Sequence, residues 1–383
     1  MSLSVRPPVV SLPSYSLTSD LLGFLRCGLQ YRYTRLGNLP PARPVQLWYG
    51  QFIHAVLEES FRLIKEGKKP VPPWPKAELD EIMERIDRRL AARNIRCWDD
   101  DSEELGKSRA EAAVNELGPL LFPLINQAEV RVRGARKLPA GLKGVVTRDI
   151  ERYEMLGVID VVTHVELFNP KLRGNKVLEL IVEELPTTPP PEFEVIVDYK
   201  GMGRPDHGSS GKGLWDIYEW QVHTYAHLRK CLTPKKIIAG VLVYLNELVP
   251  TKSDFYSLRA ACASKAKGVL LPPPGSLDEK TLLTWKPGAK GDEPPLLSLD
   301  FRLKRALRII PITDMSVADS LKQFDDTVER IEKCIAAEAR TGKVLSSWEK
   351  NATHDPTCEA CDSKTYCPEF KKENSPRLPG YKI

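Results

Sequence analysis

The chain has 383 residues, 42% of them hydrophobic and 28% charged, the composition of an ordinary globular protein. No apolar run is long enough to cross a bilayer, and the opening residues MSLSVRPPVVSLPSYS lack the basic-then-apolar order of a secretory signal, so a cytoplasmic location without membrane contact is expected. A net charge of +5 suits a polyanionic partner, but many proteins with no such partner are as basic.

Helical signals fill the first third. SDLLGFLRCGLQ (19–30) offers Ser19 and Asp20 as caps and Gly28 as a stop. GQFIHAVLEESFRLIKEG (50–67) sets Phe52, Val56, Leu57, Phe61 and Ile64 on one stripe. Two charged, periodic segments follow, at about 76–93 and 103–125. The period then changes. EVRVRG (129–134), LGVIDVVTHVEL (156–167), KVLELIVEEL (176–185) and EFEVIVDYKG (192–201) are rich in Val and Ile and predict strands. A helix is predicted over 215–231, a strand over 236–247, and a long amphipathic helix over 314–340. The tail from about 345 reads as irregular. Proline gathers in 185–193 and 270–297, both expected to be loops or insertions. Strands at the centre and helices on both flanks imply an α/β core sheet wrapped by helices.

The sharpest chemical feature is Asp198-Tyr199-Lys200 at the end of a strand. Residues two apart on a strand share a face, so Asp198 and Lys200 project into the same space. Asp160 lies in the strand-like GVIDVV upstream. If the two strands pair, two carboxylates and one ammonium converge. Carboxylates are preferred ligands of Mg²⁺ and Mn²⁺, and a lysine beside them can orient water or stabilise negative charge. Taken alone, a D-x-K at a strand end is usually a solvated pair. Gln221 and Tyr225 share a helix face with Tyr218 and Leu228, a placement that suits aromatic packing or support of a site. His223 and His227 fall on another stripe and lack a nearby carboxylate, so they are not expected to bind metal. His54, in G-x-x-x-H with Gly50, is a packed helical histidine or an extra ligand.

Of the eight cysteines, Cys97, Cys231, Cys262 and Cys334 are isolated and read as reduced thiols. Cys358, Cys361 and Cys367 form C-x2-C-x5-C-P, a strong metal signal that asks for a fourth ligand. Cys27 is the best candidate for it, His354 an alternative, and the spacing itself leaves zinc and iron–sulfur open.

In chain order these pieces are Cys27, G-x-x-x-H (Gly50, His54), G-x-I-D (Gly157, Asp160), V-D-Y-K (Val197 to Lys200), Q-x-x-x-Y (Gln221, Tyr225) and the final C-x2-C-x5-C-P. That order resembles the RecB-like branch of the PD-(D/E)XK nuclease superfamily. Within it, the pattern is similar to the iron–sulfur members, the CRISPR-adaptation exonucleases and AddB-type nuclease domains. The resemblance implies a restriction-endonuclease-like core with a central mixed sheet over 136–250. Around it stand an N-terminal segment (1–49), a helical region (50–135), a Pro/Gly-rich insertion (251–313) and a C-terminal helix with the cysteine tail (314–383). It implies that His54, Asp160 and Asp198 bind Mn²⁺ or Mg²⁺ with the Tyr199 carbonyl, that Lys200 assists the attacking water, and that Gln221 and Tyr225 support the site and position DNA. It further implies that Cys27, Cys358, Cys361 and Cys367 hold a structural [4Fe–4S] cluster. The implied activity is a deoxyribonuclease acting on single strands or duplex ends in DNA repair, recombination or defence. The alternative is a non-catalytic DNA-binding or assembly subunit. The chain departs from the pattern in having Gly28 where the family often has Pro, and in the helices around 76–125 and the 270–297 stretch, which have no assigned counterpart. GMGRPDHGSSGKG (201–213) has the wrong spacing for a P-loop, so any helicase is a partner in trans.

Overall fold

The computed structural model describes residues 12–37, 45–97, 99–145, 151–206, 212–286 and 294–350, and in the tail 358–359, 361–364, 367–368 and 370. His354, residues 207–211 of the glycine-rich stretch and residues 287–293 of the proline-rich one lie outside them. The chain runs through β1 (Ser14–Ser16), α1 (Leu22–Arg26), α2 (Gly28–Tyr31), α3 (Val45–Lys65), α4 (Lys76–Ala91), α5 (Asp100–Ala112) and α6 (Gly118–Leu121). It continues with β2 (Ile125–Lys137), β3 (Arg152–Thr163), β4 (Val165–Glu166), α7 (Lys176–Glu183), β5 (Glu192–Lys200), α8 (Lys212–Lys230) and β6 (Ile237–Tyr244). It ends with α9 (Lys252–Ser264), α10 (Leu277–Thr284), α11 (Leu299–Ala306), β7 (Leu307–Pro311), α12 (Asp314–Thr341) and α13 (Val344–Ser347). No helix among the described residues is long and apolar enough to cross a membrane.

Two compact units divide these elements. One comprises Arg43–Val132 and Val158–Val317. It is a mixed α/β unit: β5 pairs antiparallel with β3 (Val161 opposite Val197) and parallel with β6 (Asp198 opposite Leu242), and β6 pairs antiparallel with β7. β5 is buried from Phe193 to Tyr199, as expected of a central strand covered on both faces. Alternation sorts its side chains. Val195, Val197 and Tyr199 join the large core containing Phe52, Ile53 and Val56 of α3. The other face of β6 gives Leu242 and Tyr244 to a second cluster with Val222 of α8. Gly240 makes that contact possible, because a Cβ there would stand 2.2 Å from Val222 Cγ1.

Three expectations change here. KVLELIVE is the helix α7, not a strand. Asn175 caps it by accepting the Leu178 N–H at 3.0 Å, and Val177, Leu178 and Ile181 form one buried helical face. The Val and Ile content that suggested a strand instead fills that face. The 270–297 stretch is not only loop, since it contains α10, whose Leu282 packs in a small core with Phe255, Leu258, Leu297 and Phe301. The strand β7 and helix α11 were not anticipated; β7 is five residues long and ends in Pro311.

The second unit comprises Met1–Ala42, Arg133–Gly157 and Ala318–Ile383. Here β1 runs parallel to the first half of β3, with Tyr15 opposite Met155. The α12 segment of this unit is fixed by buried polar contacts: Glu332 accepts the Tyr15 hydroxyl at 2.5 Å, and Asp325 takes both Arg136 and the Tyr153 hydroxyl. Gly28 is the first residue of α2 rather than a helix stop, because the helix already breaks at Cys27, which is extended. A Cβ on Gly28 would meet the Glu349 carbonyl at 2.9 Å and the Phe24 ring at 3.0 Å. That close approach lets Glu349 accept the Leu29 N–H at 2.9 Å.

The Gly240 contact gives a stability prediction. Gly240→Ala is expected to cost about 1–3 kcal/mol, the usual range for overpacking, and Gly240→Ala with Val222→Ala to cost less than the two single changes added. Urea unfolding of the four proteins measures this; strictly additive losses would contradict the contact.

Candidate active site

The carboxylates meet where β3 and β5 part. The ladder pairs Val162 with Ile196 and Val161 with Val197, and carrying the register one step further sets Asp160 opposite Asp198. There the Tyr199 N–H donates to Asp160 Oδ2 at 2.9 Å. Asp198 is 5% exposed. Its Oδ1 accepts from Gln221 Nε2 at 3.0 Å, and its Oδ2 is ion-paired with Lys200. Lys200 Nζ donates to Gln221 Oε1 at 2.8 Å and lies 4.3 Å from the Tyr218 ring centroid. One buried amide on α8 thus holds both members of the D-x-K pair. Tyr225 is buried one turn further along α8.

α3 supplies the third side. His54 Nε2 lies 3.0 Å from the Tyr199 carbonyl oxygen, and Nδ1 lies 3.5 Å from Asp160 Oδ2. A carbonyl only accepts, so Nε2 carries the proton in that bond. Burial lowers the His54 pKa, against the opposing pull of Asp198. In the neutral ring, Nδ1 therefore keeps its lone pair beside the Asp160 carboxylate. Gly50, one turn before His54, faces Gly201: a Cβ on Gly201 would stand 3.7 Å from the Gly50 Cα and 3.2 Å from the Tyr49 ring.

Sequence reading missed one member. Ligand atoms of His54, Glu129 and Asp160 all lie within 4.8 Å of one another. Glu129 sits in β2 with φ +51°, a left-handed conformation uncommon outside glycine, and that backbone turn leaves no signature in EVRVRG. Burial raises the Glu129 pKa, and Asp160 and Glu58 add to the effect. Burial also pushes Asp160 up, to about 8, with the Asp198 charge reinforcing it. One nitrogen and several carboxylate oxygens, crowded and short of positive charge, are a donor set that fits Mn²⁺ or Mg²⁺. His223 makes no part of it; its Nε2 lies 3.2 Å from the Pro311 carbonyl oxygen.

The four candidate cluster cysteines lie in the other unit. Burial pushes the Cys361 thiol up, and the Cys27 and Cys367 thiols add to the shift. Cys27 is buried, while Cys358, Cys361 and Cys367 are half-buried. A run of turn hydrogen bonds, Cys361 N–H to Cys358 O and Lys364 N–H to Cys361 O at 3.1 Å each, and Cys367 N–H to Lys364 O at 3.2 Å, curls the tail around its three cysteines.

The Asp160 shift has a consequence for stability. An acid with a higher pKa in the folded state binds more protons there between its unfolded and folded values, so stability falls as pH rises through that window. For Asp160 the window runs from about 4 to about 8. In chelator, the melting temperature of the wild type is expected to fall more steeply across it than that of Asp160→Asn, and Mn²⁺ to restore the wild type alone. Parallel melting profiles for the two proteins would refute this.

No curated protein matches the chain. Residues 18–166, which contain Cys27, His54, Glu129 and Asp160, match the family model of the PD-(D/E)XK nuclease superfamily.

Proposed function

We propose that the protein is a metal-dependent deoxyribonuclease acting on single strands or duplex ends. The observation that carries this reading is the convergence of His54, Glu129 and Asp160 with the Asp198–Lys200–Gln221 network, in a chain whose residues 18–166 match the nuclease superfamily model. His54 Nδ1, Asp160, Asp198 and Glu129 would hold the divalent cation. The Tyr199 carbonyl, which accepts from His54, keeps a second lone pair for the same purpose. The cation lowers the pKa of a water and neutralises charge on the phosphate. Lys200 orients the attacking water and meets the negative charge that develops on the phosphate oxygens. Gln221 fixes the lysine for that task, and Tyr225, buried one turn further along α8, supports the site. DNA end processing in repair, recombination or defence fits this chemistry, with a helicase in trans as a source of single strands.

For the cysteines we propose a [4Fe–4S] cluster on Cys27, Cys358, Cys361 and Cys367, with a structural role. Its support is the C-x2-C-x5-C-P spacing, the nearness of Cys27 and Cys367 to Cys361 that contributes to the raised Cys361 pKa, and the family order of the motifs.

Two measurements test these readings. End-labelled single- and double-stranded DNA should be cut with Mn²⁺ or Mg²⁺ and not in EDTA. Lys200→Ala should slow cutting by about 10²–10³-fold, the usual loss for one electrostatic donor, and Asp198→Ala by at least as much. Undiminished activity in both variants would exclude this site, and salt-sensitive DNA binding without cleavage under any divalent ion would favour the assembly-subunit alternative. Anaerobically purified protein should be brown and contain about four irons, and Cys361→Ala should lower its melting temperature. A colourless preparation containing zinc would overturn the cluster assignment.

A further inference from the structure

A cleft of about 740 Å³ opens beside His54 and Asp160. Its acidic side chains are Glu58, Glu129 and Asp160; its cationic ones are Arg89 and Arg93. Both arginines come from the end of α4 and the turn after it, in the helical region to which sequence reading gave no role. Both are exposed. Resting on the nuclease reading above, we propose that Arg89 and Arg93 are a phosphate clamp that holds one DNA strand in this cleft, gripping phosphates next to the one presented to His54 and Asp160.

Packing does not require arginine at these positions. α4 is anchored by Leu79, Ile82, Met83, Ile86 and Leu90, all buried. Glu59, the acid on α3 that draws guanidinium groups from α4, takes Arg85 at 2.7 Å and Arg62 at 2.7 and 2.9 Å, and it feels the Arg89 charge more weakly, behind these two. A polyanion also needs such help here, because the carboxylates that would hold the cation repel every phosphate that lacks a cation of its own. Guanidinium forks match phosphate oxygens in pairs. The cleft is within the roughly 300–1,000 Å³ of ordinary binding pockets, the scale of a short run of a single strand.

The test is fluorescence anisotropy of a labelled single-stranded oligonucleotide, with Ca²⁺ in place of Mn²⁺. Arg89→Glu with Arg93→Glu should weaken binding by about tenfold or more and flatten the log Kd against log salt slope by about 1.4, two phosphate contacts at about 0.7 each. Arg89→Lys with Arg93→Lys should restore most of the binding. Arg88→Glu, an exposed change on the same helix outside the cleft lining, should have little effect. The proposal is overturned if the double Glu variant binds within twofold of wild type, if Arg88→Glu weakens binding as much, or if blunt duplex binds as tightly with the same dependence on the arginines. Mn²⁺-dependent cleavage by a protein whose binding ignores these arginines would remove the clamp and leave the nuclease. Arginine-dependent binding in a protein that cuts nothing would remove the nuclease and leave the clamp.

Discussion

The candidate site turns on the cost of bringing carboxylates together under burial. Asp198 is one of the causes that raise the Asp160 pKa, and two unit charges about 4 Å apart interact by roughly 4 kcal/mol at the effective dielectric of a protein surface. The fold answers this locally with fixed donors. Asp160 receives the Tyr199 N–H, and Asp198 receives Gln221 and Lys200. Burial first, and the Asp198 charge after it, still hold the Asp160 pKa up against these donors. What remains is a standing affinity for added positive charge, and the elements around the carboxylates are placed to maintain it.

Close approach between backbones sets that placement. α8 delivers Gln221 to the D-x-K pair because Gly240 lets Val222, its neighbour in sequence, sit directly on β6. α3 delivers His54 because Gly201 lets the chain leaving β5 pass against Tyr49, one turn earlier on the helix. Tyr49 at that crossing is itself held, its hydroxyl donating to Asn246 at 2.8 Å and accepting from Arg109 at 2.8 Å. The geometry of the candidate site thus depends on two glycines, Gly240 and Gly201, at which side chains are missing.

Much of this was legible in the sequence. The two-residue period of β5 and its acidic end were enough to place Asp198 and Lys200 on one face, and the position of Gln221 on the next helix agrees with the observed bonds. Composition misled at 176–185, where Val, Leu and Ile recur at helical spacing behind an Asn cap and the spacing should have outweighed the residue type. It was silent on β7, whose pairing with β6 is fixed by contacts across some seventy residues of chain. The break at Cys27 was also hidden, since it depends on the Glu349 carbonyl meeting Gly28 from more than three hundred positions away.

Glu129 shows why some candidate site residues resist such reading. A non-glycine residue in the left-handed region costs on the order of 1–2 kcal/mol, and this one also places a carboxylate among Asp160 and Glu58, which raises its pKa further. Both costs fall on one residue, at a position where β2 would pair more simply without the distortion. Strain of this kind persists where the surroundings over-determine it, and it gathers at binding and catalytic sites. A divalent cation would offset the electrostatic part, and its ligand geometry would account for the backbone part. The same distortion in a metal-free structural strand would have nothing to offset it.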